Sequence, residues 1–142
     1  MIIDEFLSEN QAFSASGAST NYYDFSVDRN VGIGNPLAVV VTVDVAADTA
    51  SGDETYAFAL QTDDNSSFSS ATSIASITID KATLVAGYQF ALAIPADTSM
   101  ERYLRLYATL GGTTPSITIS AAPLPANWIP TNANYPKNYT TF

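Results

Sequence analysis

Hydrophobic side chains recur at every second position through much of this chain, which is the period of a strand with one buried face. The clearest run is residues 37–45, in which Thr42 and Asp44 are expected to face solvent while the alternate apolar side chains face a core. The residues predicted to face inward are Leu37, Val39, Val41, Val43 and Val45. This pattern predicts a half-buried strand over the whole segment.

Six further segments have the composition of strands. They cover residues 20–25, 53–61, 74–79, 88–94, 102–110 and 116–120. Ile74 and Ile77 are an odd number of positions apart, which predicts a bulge or a break between them. Seven strands at roughly ten-residue spacing, with no amphipathic helical pattern, predict an all-β fold of the sandwich or barrel type.

Residues 123–142 differ from the rest of the chain, because four prolines and four aromatic residues occur there in a run rich in Asn and Thr. Proline disfavours helix and central strand, whereas disordered tails are usually poor in aromatic residues. We therefore predict an N-terminal arm of residues 1–18, a β-sandwich domain of residues 19–122 and an extended C-terminal arm of residues 123–142. The C-terminal arm packs either on its own sandwich or on a neighbouring protein.

The composition limits the chemistry that the chain can perform. It has no His and no Cys, which excludes Ser-His-Asp and Cys-His catalysis, thiol redox chemistry and zinc sites built from nitrogen and sulfur ligands. The run 63–67 and the acidic residues Asp48, Asp53 and Glu54 are interpreted as solvated turns rather than as a calcium site or paired catalytic carboxylates. We expect no enzymatic activity, no cofactor and no bound metal.

Charge and hydropathy narrow the choice of partner. The net charge of −9 arises from 14 acidic and only 5 basic residues. The basic residues are scattered, whereas nucleic-acid binding needs clustered Lys and Arg. No segment has the roughly 18 apolar residues of a membrane span, and residues 1–5 lack the basic start of a signal peptide. We expect synthesis in the cytoplasm, with neither nucleic acid nor membrane as partner.

Two arginines stand out because cations are rare. Their odd spacing on a predicted strand should direct Arg102 and Arg105 to opposite faces, so that they form no common patch. Arg102 is expected at an end of the sandwich, paired with a loop acid such as Asp63, Asp64 or Asp97. The tyrosines predicted to be exposed are Tyr22, Tyr103 and Tyr107. Such rings either stack on sugars or cover a subunit contact, and both alternatives stay open.

The order of several segments resembles a known family, the capsid cement (decoration) proteins of short-tailed bacteriophages. The segments that carry the resemblance are residues 1–4, 11–21, 31–37, 58–65, 68–71 and 102–106. The resemblance extends over most of the chain and is weakest after Ala122. It implies a jelly-roll-like antiparallel β-sandwich with extended N- and C-terminal arms.

The resemblance also implies a function, which is to bind the outer surface of the major capsid protein shell and stabilise the mature capsid by bridging neighbouring capsomers. The expected location is the exterior of the virion capsid, with self-association as a homo-dimer or homo-trimer. The residues expected to contact the capsid or another subunit are Ile2, Ile3, Phe6, Leu7, Trp128, Tyr135, Tyr139 and Phe142. The alternative is a carbohydrate-binding or adhesion module of a phage appendage.

Overall fold

The computed structural model describes residues 6–26, 37–94 and 100–125 of the chain. Within these ranges the chain forms nine strands and no helix. The strands are β1 (Ser8–Phe13), β2 (Gly17–Ala18), β3 (Tyr23–Asp24), β4 (Leu37–Val45), β5 (Thr55–Asp63), β6 (Thr72–Ile79), β7 (Gln89–Ala93), β8 (Tyr103–Gly111) and β9 (Ile117–Pro125).

The strands form two antiparallel sheets that pack as a sandwich. One sheet has the order β1-β9-β4-β7, and the other has the order β2-β8-β5-β6 with β3 also paired to β8. Several of their paired strands are far apart in sequence, as in the pairing of β4 with β9 and of β5 with β8. The predicted all-β antiparallel sandwich is confirmed.

The core lies between the two sheets and is built from the alternate side chains that the sequence pattern predicts. Tyr56, Phe58 and Leu60 of β5 are buried, and so are Val39, Val41 and Val43 of β4. The rings of Phe58 and Phe90 lie 5.0 Å apart between centroids and join the two sheets directly. Further buried side chains are Leu7, Phe25, Leu84, Met100, Leu104, Leu106, Ile117 and Ile119.

Strand β4 has the bounds that the sequence predicts, but the inward position of Val45 is wrong. Val43 pairs with Ile119, and Val45 pairs with the next residue of β9, Thr118. The extra residue, Asp44, forms a bulge that reverses the alternation. Val45 is consequently 59% exposed.

The predicted break of alternation in β6 is confirmed as a bulge. Leu60 pairs with Ala75 and Gln61 pairs with Ser73, so Ile74 is the extra residue. Because the bulge interrupts the alternation, Ile74 and Ile77 can both pack partly against the core although they are an odd number of positions apart.

The N-terminal arm of residues 1–18 is corrected from Ser8 onwards, because residues 8–13 and 17–18 form β1 and β2. Only Ser8 and Phe13 of β1 are buried, and its register to β9 shifts between Ser8 and Gln11. Asn10 within this irregularity has φ of +45°. A strand with such a bulge and few buried side chains has no two-residue hydrophobic period, which is the signal that sequence analysis uses.

The C-terminal boundary is also corrected, because β9 continues through Pro123 to Pro125 instead of ending before the prolines. The described part of β1 pairs with β9 only as far as Ala121. Beyond that residue, β9 is flanked by β4 alone among the described strands, with Leu124 opposite Ala38. A proline is tolerated there because no second strand in the described part of the chain requires its missing N–H.

The hydroxyl of Tyr56 ties two loops to the core and provides a test of the fold. It donates to the carbonyl of Asp48 at 2.9 Å and accepts from the N–H of Ser116 at 3.1 Å. Tyr56→Phe is expected to lower the free energy of unfolding by about 1–2 kcal/mol in urea denaturation, because buried backbone groups lose their partner. Tyr22→Phe is the control, since Tyr22 is 46% exposed. Equal effects of the two changes would contradict this assignment.

Candidate functional site

The described residues show no sign of a reactive centre. Among residues 6–26, 37–94 and 100–125, no group of three acidic or other ligating side chains converges in the manner of a metal site. Every buried polar side-chain atom in the same ranges has a hydrogen-bond partner. No helix in the described part of the chain is long and apolar enough to cross a membrane.

Exposed hydrophobic side chains mark two regions, one at each end of the sandwich. Phe6 and Tyr22 are 44% and 46% exposed, and Val45 and Val85 are 59% and 55% exposed. Phe6 and Tyr22 share one end because the side-chain amide of Asn21 donates to the carbonyl of Phe6 at 3.0 Å. Aromatic residues are the commoner anchors of protein interfaces, so this end is the stronger candidate for a contact surface.

Tyr22 belongs to a compact group of three rings. Its ring centroid lies 5.8 Å from that of Phe68 and 5.6 Å from that of Tyr103, and both contacts are edge-to-face. The rings of Phe68 and Tyr103 are 6.4 Å apart. Such contacts are favoured by the charge distribution of the rings and hold the exposed Tyr22 in a fixed orientation.

Two arginines complete this group, contrary to the prediction that they form no common patch. The Arg102 guanidinium lies 5.0 Å from the centroid of Tyr103, and the Arg105 guanidinium lies 4.3 Å from that of Phe68. The prediction fails because β8 begins at Tyr103, so strand alternation does not apply to Arg102. We call Tyr22, Phe68, Arg102, Tyr103 and Arg105 the aromatic cluster.

The acid that pairs with Arg102 is Asp24, not one of the predicted loop acids. Arg102 Nε lies 2.6 Å from Asp24 Oδ1, and Nη2 lies 2.9 Å from Oδ2, which is a two-pronged ion pair. The hydrogen bonds from Arg102 and from the Ser26 N–H lower the pKa of Asp24 to about 2. This pair holds β3 against the start of β8. The third predicted partner, Asp97, lies outside the described residues.

Asp63 has a different role, which is to shape the loop that carries Phe68. It is fully buried and accepts the N–H groups of Ser70 at 2.7 Å and Asn65 at 3.0 Å. Burial raises the pKa of Asp63, but these donors outweigh it and the net shift is downward. Because its oxygens already accept these bonds, the carboxylate serves the loop, in which Phe68 has φ of +53°.

A pocket of about 280 Å³ lies at the opposite end, lined by Glu54, Lys81 and their neighbours. Glu54 accepts the N–H groups of Ser51 and Gly52 at 2.7 and 2.9 Å, and Lys81 Nζ lies 3.6 Å from its carboxylate. Burial raises the pKa of Glu54, but these contacts lower it overall. These groups are occupied in holding a turn, and the pocket offers little free chemistry.

Both ends of the described chain lie at the end that carries the aromatic cluster. Leu37 pairs with Pro125, the last described residue. The carbonyl of Leu37 accepts a hydrogen bond from the N–H of Ile94 at 3.0 Å. The N–H of Leu7 donates to Ala121 at 2.9 Å, and its carbonyl accepts from Asn21 at 3.0 Å, which links the two sheets. The residues that precede Phe6 and follow Pro125 are therefore attached to the same end as Tyr22.

Of the predicted contact residues, the structure places two. Phe6 is exposed at the end of the sandwich that carries the aromatic cluster, whereas Leu7 is fully buried in the core of its own chain and is corrected to a structural residue. The other six, Ile2, Ile3, Trp128, Tyr135, Tyr139 and Phe142, lie outside the described residues.

Phe68 belongs to the aromatic cluster but was not among the residues predicted from the sequence. It is the single large apolar residue of the polar run 63–73, which is a signal that its ring is anchored against the body of the protein. The partnership of Phe68 with Arg105 had no such signal, because the two residues come from different elements and meet only in the folded sheet.

A family model described as Bbp16 matches residues 7–122, which is most of the chain. No curated protein matches the sequence. The matched range includes the aromatic cluster and all described strands except the last residues of β9.

The different surroundings of Phe6 and Leu7 lead to a paired prediction. Leu7→Ala should lower the free energy of unfolding by about 2–5 kcal/mol, because it leaves a cavity in the core. Phe6→Ala should change it by no more than about 0.5 kcal/mol, because Phe6 is 44% exposed and is not part of the buried core. Urea denaturation followed by fluorescence measures both. Equal losses for the two variants would show that Leu7 is not a core residue.

The Asp24–Arg102 pair has a defined dependence on pH. Since folding lowers the pKa of Asp24 to about 2, the pair stabilises the fold fully above the unfolded pKa near 3.8 and loses this effect as the pH falls through about 2. A carbon-13 NMR titration should find the Asp24 carboxyl midpoint near 2. Arg102→Gln should raise this midpoint toward the ordinary value, and Lys81→Gln, at the other end, should leave it in place. An unshifted midpoint in Arg102→Gln would contradict the pairing.

Proposed function

The chain belongs to the Bbp16 family, and from this premise we propose that it is a structural cement, or decoration, protein of a bacteriophage capsid. In this proposal it binds the outer surface of the major capsid protein shell and bridges neighbouring capsomers, which stabilises the mature capsid. It acts as a homo-oligomer on the exterior of the virion and performs no catalysis. The resemblance of its ordered segments to capsid cement proteins supplies the class of partner.

The observation that carries the proposal is that exposed aromatic side chains and both ends of the described chain lie at the same end of the sandwich. Phe6 and Tyr22 are exposed there, and both ends of the described chain are attached there. The residues expected to contact the capsid on either side of the sandwich domain therefore start from one place. A protein that reinforces a shell needs such a concentrated contact surface.

The aromatic cluster has the composition of an interface anchor. Tyr and Arg are enriched among the residues that contribute most to binding, especially where their orientation is fixed before the partner arrives. Tyr22 is held by two edge-to-face contacts, and Arg102 is held by Asp24. Little side-chain freedom is lost on binding, which favours affinity.

The distribution of charge supports a protein partner rather than a nucleic acid. Of the cations in the described ranges, Lys81 pairs with Glu54 and Arg102 pairs with Asp24. Arg105 donates from Nε to Gln61 at 2.9 Å and stacks on Phe68. The described surface therefore has no row of free cations to neutralise phosphates.

The arrangement of the rings also favours this proposal over a carbohydrate-binding module. Sugar binding by stacking requires an open ring face. One face of Tyr103 is covered by Arg102, and one face of Phe68 is covered by Arg105. Phe68 is only 8% exposed, which leaves Tyr22 as the open ring of the group.

The test is binding of the purified protein to empty mature capsid shells, measured by co-sedimentation over a range of concentrations. Tyr22→Ala should weaken binding by about tenfold or more, which is the loss expected for an interface anchor. Val85→Ala, a change of an exposed residue at the opposite end, is the matched control and should bind normally. Raising salt from about 0.1 M to about 1 M should have a small effect, because the proposed contacts are mainly apolar and aromatic.

Two results would overturn the proposal. One is a wild-type protein that fails to bind shells while a glycan array or polysaccharide pull-down shows binding, which assigns the surface to carbohydrate. The other is equal binding of Tyr22→Ala and wild type, which removes the aromatic cluster from the contact. Circular dichroism of each variant establishes that it is folded.

A further inference from the structure

Strand β6 is an edge of its sheet and leaves one side open. It pairs with β5 along residues 72–79, and no described residue forms a backbone pair on its other side. In an antiparallel strand, alternate residues direct both N–H and C=O to the same side. The outer side of β6 therefore presents a row of backbone donors and acceptors.

This edge has little of the usual protection against pairing. Proteins normally block exposed edges with charged residues, proline, bulges or very short strands. The eight residues of β6, Thr-Ser-Ile-Ala-Ser-Ile-Thr-Ile, include no charge and no proline. Its bulge at Ile74 is near one end, so the stretch from Ala75 to Ile79 is regular.

The other described edges are protected or short. Strand β1 contains Glu9 and the irregularity at Asn10. Strands β2 and β3 have two residues each, and β7 has five. Among the described strands, β6 is therefore the longest edge that another strand can extend.

The side chains of the regular stretch are separated by face. Ala75, Ile77 and Ile79 lie opposite Leu60, Phe58 and Tyr56 on the core side. On the outer face, Ser76 and Thr78 are exposed. Ile77 is only partly buried although it packs on the core. The core is thus incompletely covered along this edge.

We propose that β6 pairs antiparallel with β6 of a second copy of this chain, about a twofold axis that passes through Ile77. This register places Ile77 opposite Ile77 and Ala75 opposite Ile79 on the core side. On the outer face it places Ser76 opposite Thr78. Apolar residues then meet apolar residues and hydroxyls meet hydroxyls, which are favourable cross-strand pairs.

A second copy fits this edge because of charge. Two chains that each carry a net charge of −9 repel at most approaches. The uncharged β6 allows contact with no like charges directly opposite each other, which would be destabilising. The pairing also covers the exposed part of each Ile77. This inference rests on the self-association in the proposed function and assigns its surface.

The first experiment measures association of the free protein by sedimentation velocity over a wide range of concentrations. Ser76→Lys with Thr78→Lys places lysine opposite lysine twice across the axis and should weaken association about tenfold or more. Ser76→Lys with Thr78→Glu places lysine opposite glutamate and should restore it. Thr109→Lys, on the exposed face of the central strand β8, is the control and should associate like wild type.

The second experiment tests the register by disulfide formation, since the chain has no cysteine of its own. A mixture of Ser76→Cys and Thr78→Cys chains should form the mixed dimer on mild oxidation, because directly opposed residues lie within the span of a disulfide. Each variant alone should cross-link poorly, since its cysteines are diagonal neighbours roughly 7–8 Å apart.

A monomer at all concentrations, or association that the double lysine variant leaves unchanged, would overturn the inference. Preferential cross-linking of each cysteine variant with itself would overturn the register. Shell binding by the same variants separates the two proposals. A double lysine variant that is monomeric yet still binds shells supports the β6 pairing and leaves the capsid contact in place, whereas wild type that associates but binds no shell contradicts only the proposed function.

Discussion

The whole structure depends on the burial of one face of each sheet against the other. No disulfide is available, since the chain has no cysteine, and no described helix covers either sheet. Apolar contact between the sheets, with Phe58 against Phe90 at its centre, is therefore the main source of stability. The chain secures its loops by polar bonds from the core, through Tyr56 at one end and Asp63 at the other. The surfaces proposed above lie at one end of this sandwich and along one of its edges.

Strands that run through the middle of the core are visible in the sequence, because burial of one face imposes a two-residue period. This holds for β4, β5 and β8, and even the parity break at Ile74 appears as a bulge. It fails for β1, because this strand has a bulge and exposed residues on both faces and therefore shows no two-residue hydrophobic period. It also fails for the end of β9, where the loss of a neighbouring strand permits prolines that the sequence alone argues against. Alternation of hydrophobic and polar residues thus indicates strands that bury one face. Strands held mainly by backbone hydrogen bonds do not show this pattern.

The proposed contact surface was less predictable than the fold, because it depends on pairs that are distant in sequence. The exposure of Tyr22 was expected, but the Asp24 that fixes Arg102 is separated from it by 78 positions and by most of the fold. The adjacent residues Phe6 and Leu7 are a second example of what the sequence alone does not predict. Both are apolar neighbours near the start of the chain, and only the bond of Leu7 to Ala121 places one in the core and the other in solvent. Hydrophobic character identifies candidates, and the sheet register decides which of them reach the surface.

The two proposed surfaces point in different directions, and this makes them compatible in one assembly. The aromatic cluster lies at an end of the strands, whereas β6 is at the lateral edge of its sheet, where a further strand would form backbone hydrogen bonds. Antiparallel pairing about Ile77 turns the two copies head to tail, so their aromatic clusters face opposite ways. Thr72 is five residues from Ile77 toward the cluster, which at about 3.3 Å per residue separates the two clustered ends by roughly 30 Å or more. The paired dimer then carries two aromatic clusters, one from each chain, at a fixed separation. Once one cluster is bound, the other is held near the surface, so its effective concentration there is high. In the proposed function, these two contacts are what bridges neighbouring capsomers, and no further binding site on the chain is invoked.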